Sequence, residues 1–235
     1  MDEVFRSGTL NMSASPYEGL AADPLWTDIL TNRILAVAAV VLMMIHLPDL
    51  LRLLPHLLYS YNRVRGAESL EHSLGTARLR NLVALSFSLP FCLVLDRFAV
   101  LQPAFREAVP PAWGAPATVG FVAAYVLVRG LLHAVFHPRR MSGEVVKTLR
   151  HNHYNYLLLL VPLMLLVTAV AMAAHLDDTL VRSILRVLIA AVWGFATLRS
   201  GQILIAHGAG FSTFLYLCGL EILPAALLVA VVVFF

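Results

Sequence analysis

The sequence predicts an all-α fold: a polytopic transmembrane bundle of about six helices with one amphipathic interfacial segment. Hydrophobic residues make up 60% of the 235 residues and charged residues 13%, whereas soluble domains contain about 45–50% apolar and about 25% charged residues. The apolar residues are grouped into six runs, each close to the roughly 20 residues that cross a bilayer core about 30 Å thick. This composition argues against a soluble enzyme, a disordered linker and a secreted disulfide scaffold.

The predicted organisation is a polar N-terminal tail over 1–25 followed by a single transmembrane domain over 26–235. The tail is acidic and lacks the basic and then apolar order of a cleavable signal peptide, so we expect the first span to act as the insertion signal. Apolar runs of sufficient length predict spans at 26–47, 82–101, 115–136, 154–176, 180–198 and 211–235.

The amphipathic segment follows the first span. Residues 48–59 mix leucines with Arg52, His56 and Tyr59. This pattern is typical of a helix that lies along the headgroup boundary with its apolar side towards the lipid.

Basic residues between the spans predict the orientation. Cytoplasmic loops carry an excess of Lys and Arg, and the first, third and fifth loops together carry ten of them against six elsewhere near the spans. We therefore expect these three loops in the cytoplasm and both termini in the periplasm. The ten are Arg52, Arg63, Arg65, Arg78, Arg80, Arg139, Arg140, Lys147, Arg150 and Arg199.

Several function classes are disfavoured by missing patterns in the sequence. Cys92 and Cys218 lie singly in apolar runs without CxxC spacing, which predicts buried thiols rather than a metal site or a disulfide. No basic cluster is interleaved with polar reading residues, so a nucleic-acid partner is not expected. The sequence contains no Ser-His-Asp order, paired catalytic carboxylates or Gly-rich phosphate loop. It therefore favours a non-enzymatic protein.

Two ionisable residues fall inside predicted spans, Arg129 in the third and Glu221 in the last. Such groups cost about 2.5–3.5 kcal/mol on insertion scales, so each needs a partner or a purpose. Arg129 lies about 10 Å and Glu221 about 15 Å from the inner end of its span. This match in depth predicts an Arg129–Glu221 pair, which is either a structural clamp or a gating or proton-coupled pair in a transporter.

Prolines mark weak points in three spans. Pro224 lacks an N–H and frees the carbonyl of Leu220, so we expect a kink beside Glu221. Pro90 and Pro162 predict similar kinks in the second and fourth spans. Broken helices line transporter binding sites, although single prolines are also common in membrane helices without that role.

Histidines gather at the predicted inner boundary. His133 and His137 continue the helix face of Arg129 at four-residue spacing. An HxxxH pair and a His-x-His pair can present imidazoles to iron, zinc or haem. Against this, the sequence has neither the carboxylates of a di-iron site nor repeated histidine boxes, and an interfacial cluster without a ligand is the simpler interpretation. The candidate metal ligands are His133, His137, His151 and His153.

The same predicted face is basic. The positive-inside bias explains this charge, while a sharper hypothesis is recognition of an anionic, phosphorylated lipid headgroup, since arginine forks fit phosphate. The candidate contacts are Arg139, Arg140, Lys147 and Arg150.

The last span carries a recognisable stretch at 214–224, FLYLCGLEILP. It resembles the C-terminal motif of an uncharacterised multi-spanning bacterial membrane family, domain of unknown function 4271, which is found in Bacteroidota. The similarity extends more loosely to 155–163 and to the Arg-rich first inside loop. The resemblance implies an inner-membrane protein of the bacterial envelope and supplies no activity, and the histidines are not part of the shared motif.

Together, these features predict an integral inner-membrane protein that is a non-enzymatic component or partner of an envelope assembly or transport system. One alternative is a small transporter or channel that uses the Arg129–Glu221 pair. The other is a metal- or haem-binding membrane oxidoreductase that uses the histidines. Of the three predicted functions, only this one requires a cofactor. The expected partners are the lipid bilayer, including anionic lipids, and other membrane proteins.

Overall fold

A computed structural model of the chain describes residues 25–62, 66, 69–71, 73–101, 109–135, 143–207 and 217–234. Of the predicted N-terminal tail, 1–24 lies outside the described residues. Within them, every regular element is helical. The α-helices are α1 (Leu30–Asn62), α2 (Leu74–Arg97), α3 (Gly114–Val135), α4 (Gly143–Ala173), α5 (Asp178–Ala206) and α6 (Leu223–Phe234).

The helices α1 to α5 are each long and apolar enough to cross a membrane. The predicted all-α class is therefore confirmed, and these five helices overlap five of the predicted spans. The last predicted span contains an apolar helix, Leu217–Val231, which is shorter than the others. Its predicted first residues, 211–216, lie outside the part of the chain that the structure describes.

The predicted interfacial segment is not a separate element. Residues 48–59 continue α1 as one helix of 33 residues, with Pro48 and Pro55 inside it. Leu50, Leu53 and Leu57 are buried in a cluster with side chains of α2 and α4. The apolar side of the segment thus packs on protein, because its leucines recur at the three- and four-residue spacing that aligns them on one face.

α2 is the most buried of the spanning helices and packs against α1, α3 and α4, while α5 packs along α4. The main core lies between α2, α4 and α5, and includes Leu95, Met164 and Leu185. By contrast, much of α1 exposes its apolar side chains. That distribution is typical of a bundle whose outer surface contacts lipid, since lipid does not drive apolar side chains inwards.

Three helices extend beyond the predicted spans at one end of the bundle. α2 begins at Leu74 rather than 82, α4 begins at Gly143 rather than 154, and α5 ends at Ala206 rather than 198. We call this end, where α1 also finishes, the inner end. Several polar residues assigned to inside loops therefore lie within helices: Arg80, Lys147, Arg150, His151, His153 and Arg199.

At the opposite, outer end, α2 and α4 finish in the same way. Ala99 and His175 have positive φ values of 48° and 52°. The next residues donate backbone N–H groups back into the helix, from Val100 to the Leu95 carbonyl at 2.9 Å and from Leu176 to the Ala171 carbonyl at 3.0 Å. This is the hydrogen-bond pattern of a Schellman cap, in which glycine is the usual left-handed residue.

The three predicted weak points differ in outcome. Pro90 and Pro162 lie inside the continuous helices α2 and α4. Pro224 follows a π-helical turn, Leu217–Ile222, which contains Glu221. Because proline cannot donate to the carbonyl four residues earlier, the backbone before it is free to widen into the π form. A π turn therefore lies at the position beside Glu221 where a kink was predicted.

Candidate functional site

The central cluster consists of Arg129, His133, His153 and Glu221. Arg129 and His133 lie four residues apart on α3 and therefore share a face. His153 comes from α4, and Glu221 comes from the π turn before α6. Arg129, His133 and Glu221 are all buried, and Glu221 is only 1% exposed. The cluster joins three separate segments of the bundle.

The contact between Arg129 and Glu221, which their depths predicted, is present. Arg129 Nη2 donates to both carboxylate oxygens of Glu221 at 3.1 Å. His153 Nε2 lies 3.2 Å from Glu221 Oε2, and His133 Nε2 lies 3.9 Å from Oε1. One carboxylate is thus surrounded by a guanidinium and two imidazoles.

His153 also contacts the arginine, because Arg129 Nη2 lies 2.8 Å from its Nδ1. A guanidinium can only donate, so Nδ1 is the acceptor and the ring proton of a neutral imidazole sits on Nε2, which faces Glu221. Arg129, His153 and Glu221 therefore lie in mutual contact. The net charge of the whole central cluster is zero when both of its imidazoles are neutral, which suits a buried site.

A second cluster, the inner-end cluster, consists of Glu71, Arg80, Lys147 and His151. Arg80, which is fully buried, donates to Glu71 through Nη1. His151 Nδ1 lies 3.2 Å from Glu71 Oε2, and Lys147 Nζ lies 3.7 Å from the same oxygen. The cluster connects the segment before α2 with α2 and with the first turns of α4.

Two neighbours, His151 and Arg80, control the acid of this cluster. Burial raises the pKa of the Glu71 carboxyl, but the hydrogen bonds from His151 and Arg80 and the charge of Arg80 outweigh burial and lower the pKa to about 2. Hydrogen bonds to the charged form favour that form. Glu71 is therefore a carboxylate at neutral pH and a stable counterion for the buried guanidinium.

A third polar contact lies at the outer end, around Asp96. This acid is 3% exposed and accepts from Trp26 Nε1 at 2.6 Å and from Thr118 Oγ1 at 2.9 Å. It joins the 3-10 turn Trp26–Asp28, α2 and α3. Sequence reasoning treated Asp96 only as a charge that interrupts the second span, and the Trp and Thr partners give no signal at fixed spacing.

The predicted histidine group is divided by the structure. His133 and His153 lie beside Glu221, whereas His151 contacts Glu71, and His137 lies outside the described residues. Among the residues that the structure describes, no three His, Cys, Asp or Glu side chains form a group that could hold a metal ion. The three candidate ligands that the structure describes are therefore not brought to one point.

The basic residues predicted to contact lipid headgroups have different environments. Lys147 is partly exposed beside Glu71, and Arg150 is exposed. Arg139 and Arg140 lie outside the described residues. Of the two cysteines, Cys92 is buried as expected, but Cys218, in the π turn, is only partly buried. The sequence analysis counted Arg80 only among the basic residues that predict the orientation, and it did not single out Glu71.

Comparison of the chain with protein-family models, with curated proteins and with solved structures finds no match to any of them.

Proposed function

We propose that this protein is a non-enzymatic component or partner of an envelope assembly or transport system, located in the bacterial inner membrane with both termini in the periplasm. In this role the central cluster is a clamp that fixes the last helix to α3 and α4. The observation that carries the proposal is the closure of the cluster: Glu221 is 1% exposed and both its oxygens are engaged by Arg129.

The clamp interpretation follows from the cost of charges in a membrane. An unpaired ionised group in the hydrocarbon region is unfavourable, and paired groups with further polar contacts are tolerated. Arg129 and Glu221 have each other, and His153 contacts both. A fixed bundle with polar clusters is a suitable scaffold for partners that dock on its surface.

The experiment compares proteins that co-purify in mild detergent with the wild type and with the Arg129→Ala, Glu221→Ala double variant. Under the proposal, a defined set of membrane proteins is recovered with the wild type, and the set is lost when the last helix is released. A wild-type sample that recovers no partner under cross-linking would contradict the proposal.

The π turn and the two histidines favour a second candidate, a proton-coupled transporter. π turns in membrane and soluble helices often lie at functional sites, and histidine is the side chain that exchanges protons near neutral pH. Both His133 and His153 lie within 4 Å of Glu221. The three titratable side chains thus lie together between α3, α4 and the last helix.

The second candidate is tested with the protein in vesicles that contain a pH-sensitive dye. If Glu221 carries protons, Glu221→Gln abolishes proton flux while the purified protein keeps its helical content and thermal midpoint. If the variant merely unfolds at lower temperature and the wild type moves no protons, the clamp is the better description.

A further inference from the structure

Arg199 differs from the other buried arginines of the described residues. Arg80 contacts Glu71 and Arg129 contacts Glu221. Arg199, near the end of α5, is 8% exposed, but no acidic side chain among the described residues lies within ion-pair distance of it. Its positive charge is therefore not neutralised by the part of the protein that the structure describes.

The donors of Arg199 are only partly used. Nη1 donates to Gln202 Oε1 at 2.7 Å, and Nη2 donates to the Ser60 carbonyl at 3.0 Å. Nε is buried and has no hydrogen-bond partner among the residues that the structure describes. A buried donor without a partner costs about 1–3 kcal/mol, and more when the group is charged. Both the missing charge and the missing acceptor are supplied by an anion.

The position of Arg199 in the bundle indicates which anion is available. Its partner Ser60 lies two residues before the end of α1, and thirty residues, about 45 Å of helix, separate it from Leu30. A bilayer including its headgroups is about 40–45 Å thick. At the other end of α1 is Trp26, an aromatic residue typical of the interface. Ser60 and Arg199 therefore lie at the level of the lipid phosphates.

Arg199 lies next to exposed residues of α5. Leu198 is 65% exposed and Gln202, which contacts the guanidinium, is also exposed. The amide nitrogen of Gln202 can donate to the same anion as Arg199. A guanidinium presents its donors in a fork that matches the oxygens of phosphate.

We propose that Arg199 and Gln202 bind a phosphate group at the inner end of the bundle, carried either by a phospholipid headgroup or by a soluble phosphate compound. The phosphate accepts from the guanidinium N–H groups that Gln202 and Ser60 leave free, and it neutralises the guanidinium. This site is separate from the central cluster, and it does not depend on the role proposed for that cluster.

The test measures the thermal unfolding midpoint of lipid-depleted protein in detergent after addition of phosphatidylglycerol, diacylglycerol or inorganic phosphate. A ligand present at about 100 times its Kd raises the midpoint by several degrees in a chain of this size. We expect that shift with phosphatidylglycerol and none with diacylglycerol, which lacks the phosphate. An equal shift with inorganic phosphate would identify the soluble compound as the source.

Variants connect the shift to Arg199. Arg199→Gln should abolish it, and Arg199→Lys, which keeps the charge but loses the fork, should reduce it. Arg186→Gln is the matched control, because Arg186 is on the same helix and also donates to a backbone carbonyl, that of Val100, but at the outer end. If Arg199→Gln does not fold, Gln202→Leu should weaken binding several-fold. Equal shifts in the wild type and in the Arg199 and Gln202 variants would overturn the proposal. So would the absence of a shift with both phosphatidylglycerol and inorganic phosphate.

Discussion

His151 and His153 are two residues apart on α4, yet they belong to two different clusters. His151 Nδ1 lies 3.2 Å from Glu71, and His153 Nδ1 lies 2.8 Å from Arg129. A separation of two residues on an α-helix turns a side chain by about 200°, so the rings point to nearly opposite sides. α4 is therefore the element that links the inner-end cluster with the central cluster.

Removing one member of the Arg129–Glu221 pair should destabilise the protein strongly. Glu221→Ala leaves a buried guanidinium without its acid, at an expected cost of about 3–5 kcal/mol. The Arg129→Met, Glu221→Leu double variant removes both charges and should lose less stability than either single variant. Equilibrium unfolding in detergent measures the coupling between the two positions.

The control for that cycle is the exposed pair of Arg97 and Asp178, whose charged atoms lie 3.4 Å apart. Exposed pairs contribute about 1 kcal/mol or less, so Arg97→Met with Asp178→Asn should show little coupling. If the losses of stability at Arg129 and Glu221 are additive, so that their coupling is as small as in the control pair, the clamp is contradicted.

The stability of the protein should fall in acid because of Glu71. Its pKa of about 2 in the folded protein lies below the ordinary value of 4.5, so the folded state binds the proton less readily than the unfolded state. The stabilisation is fully present above about pH 5 and is lost as the pH falls towards 2. It amounts to at most about 3 kcal/mol.

Thermal midpoints measured between pH 6 and pH 3 check this pH dependence. Glu71→Gln should flatten the curve over that range and lower the midpoint at pH 6. Asp178→Asn, at an exposed acid of the outer end, should leave the curve unchanged. A wild-type midpoint that is constant from pH 6 to pH 3 would be incompatible with the role assigned to Glu71.

Asp96 should be needed to hold the turn before α1 against α2 and α3. Asp96→Ala removes the acceptor that Trp26 and Thr118 share, and we expect a loss of about 1–3 kcal/mol. Asp96→Asn keeps one acceptor oxygen and should lose less. Trp26→Phe keeps an aromatic ring but removes the N–H donor, so its effect should be smaller when Asp96 is already alanine. Unfolding midpoints of the wild type, Asp96→Ala, Trp26→Phe and the double variant measure this.

Glycine at Ala99 should stabilise the end of α2. The positive φ of 48° at this residue is unfavourable for alanine and accessible to glycine. Ala99→Gly is therefore expected to raise stability by about 0.5–1 kcal/mol, whereas Ala123→Gly, inside α3, should lower it by a similar amount. Chemical unfolding in detergent distinguishes the two, and a loss of stability in Ala99→Gly would show that the backbone there differs.

The sequence was sufficient to predict the helical membrane class and the contact between Arg129 and Glu221. That contact was predictable because the rise per residue of a helix converts residue number into depth along the predicted span. Two opposite charges at similar depth are less costly in the membrane when they pair. Glu71 and Arg80 were not found, because a hydropathy window ends a span at the first charges. Burial of Arg80 depends on which face of α2 meets α4, and no periodic pattern in the sequence specifies that rotation.

The spacing of the paired residues along the chain sets an order of assembly during synthesis. Glu71 precedes Arg80 by nine residues, so this pair can form while α2 is entering the membrane. Arg129 meets His153 after 24 further residues, but Glu221 follows Arg129 by 92. Before Glu221 is in place, the other members of the central cluster, His133 and His153, are already present, but the carboxylate that neutralises Arg129 is missing. Arrival of the segment that carries Glu221 therefore supplies the counterion that the buried arginine lacks until then.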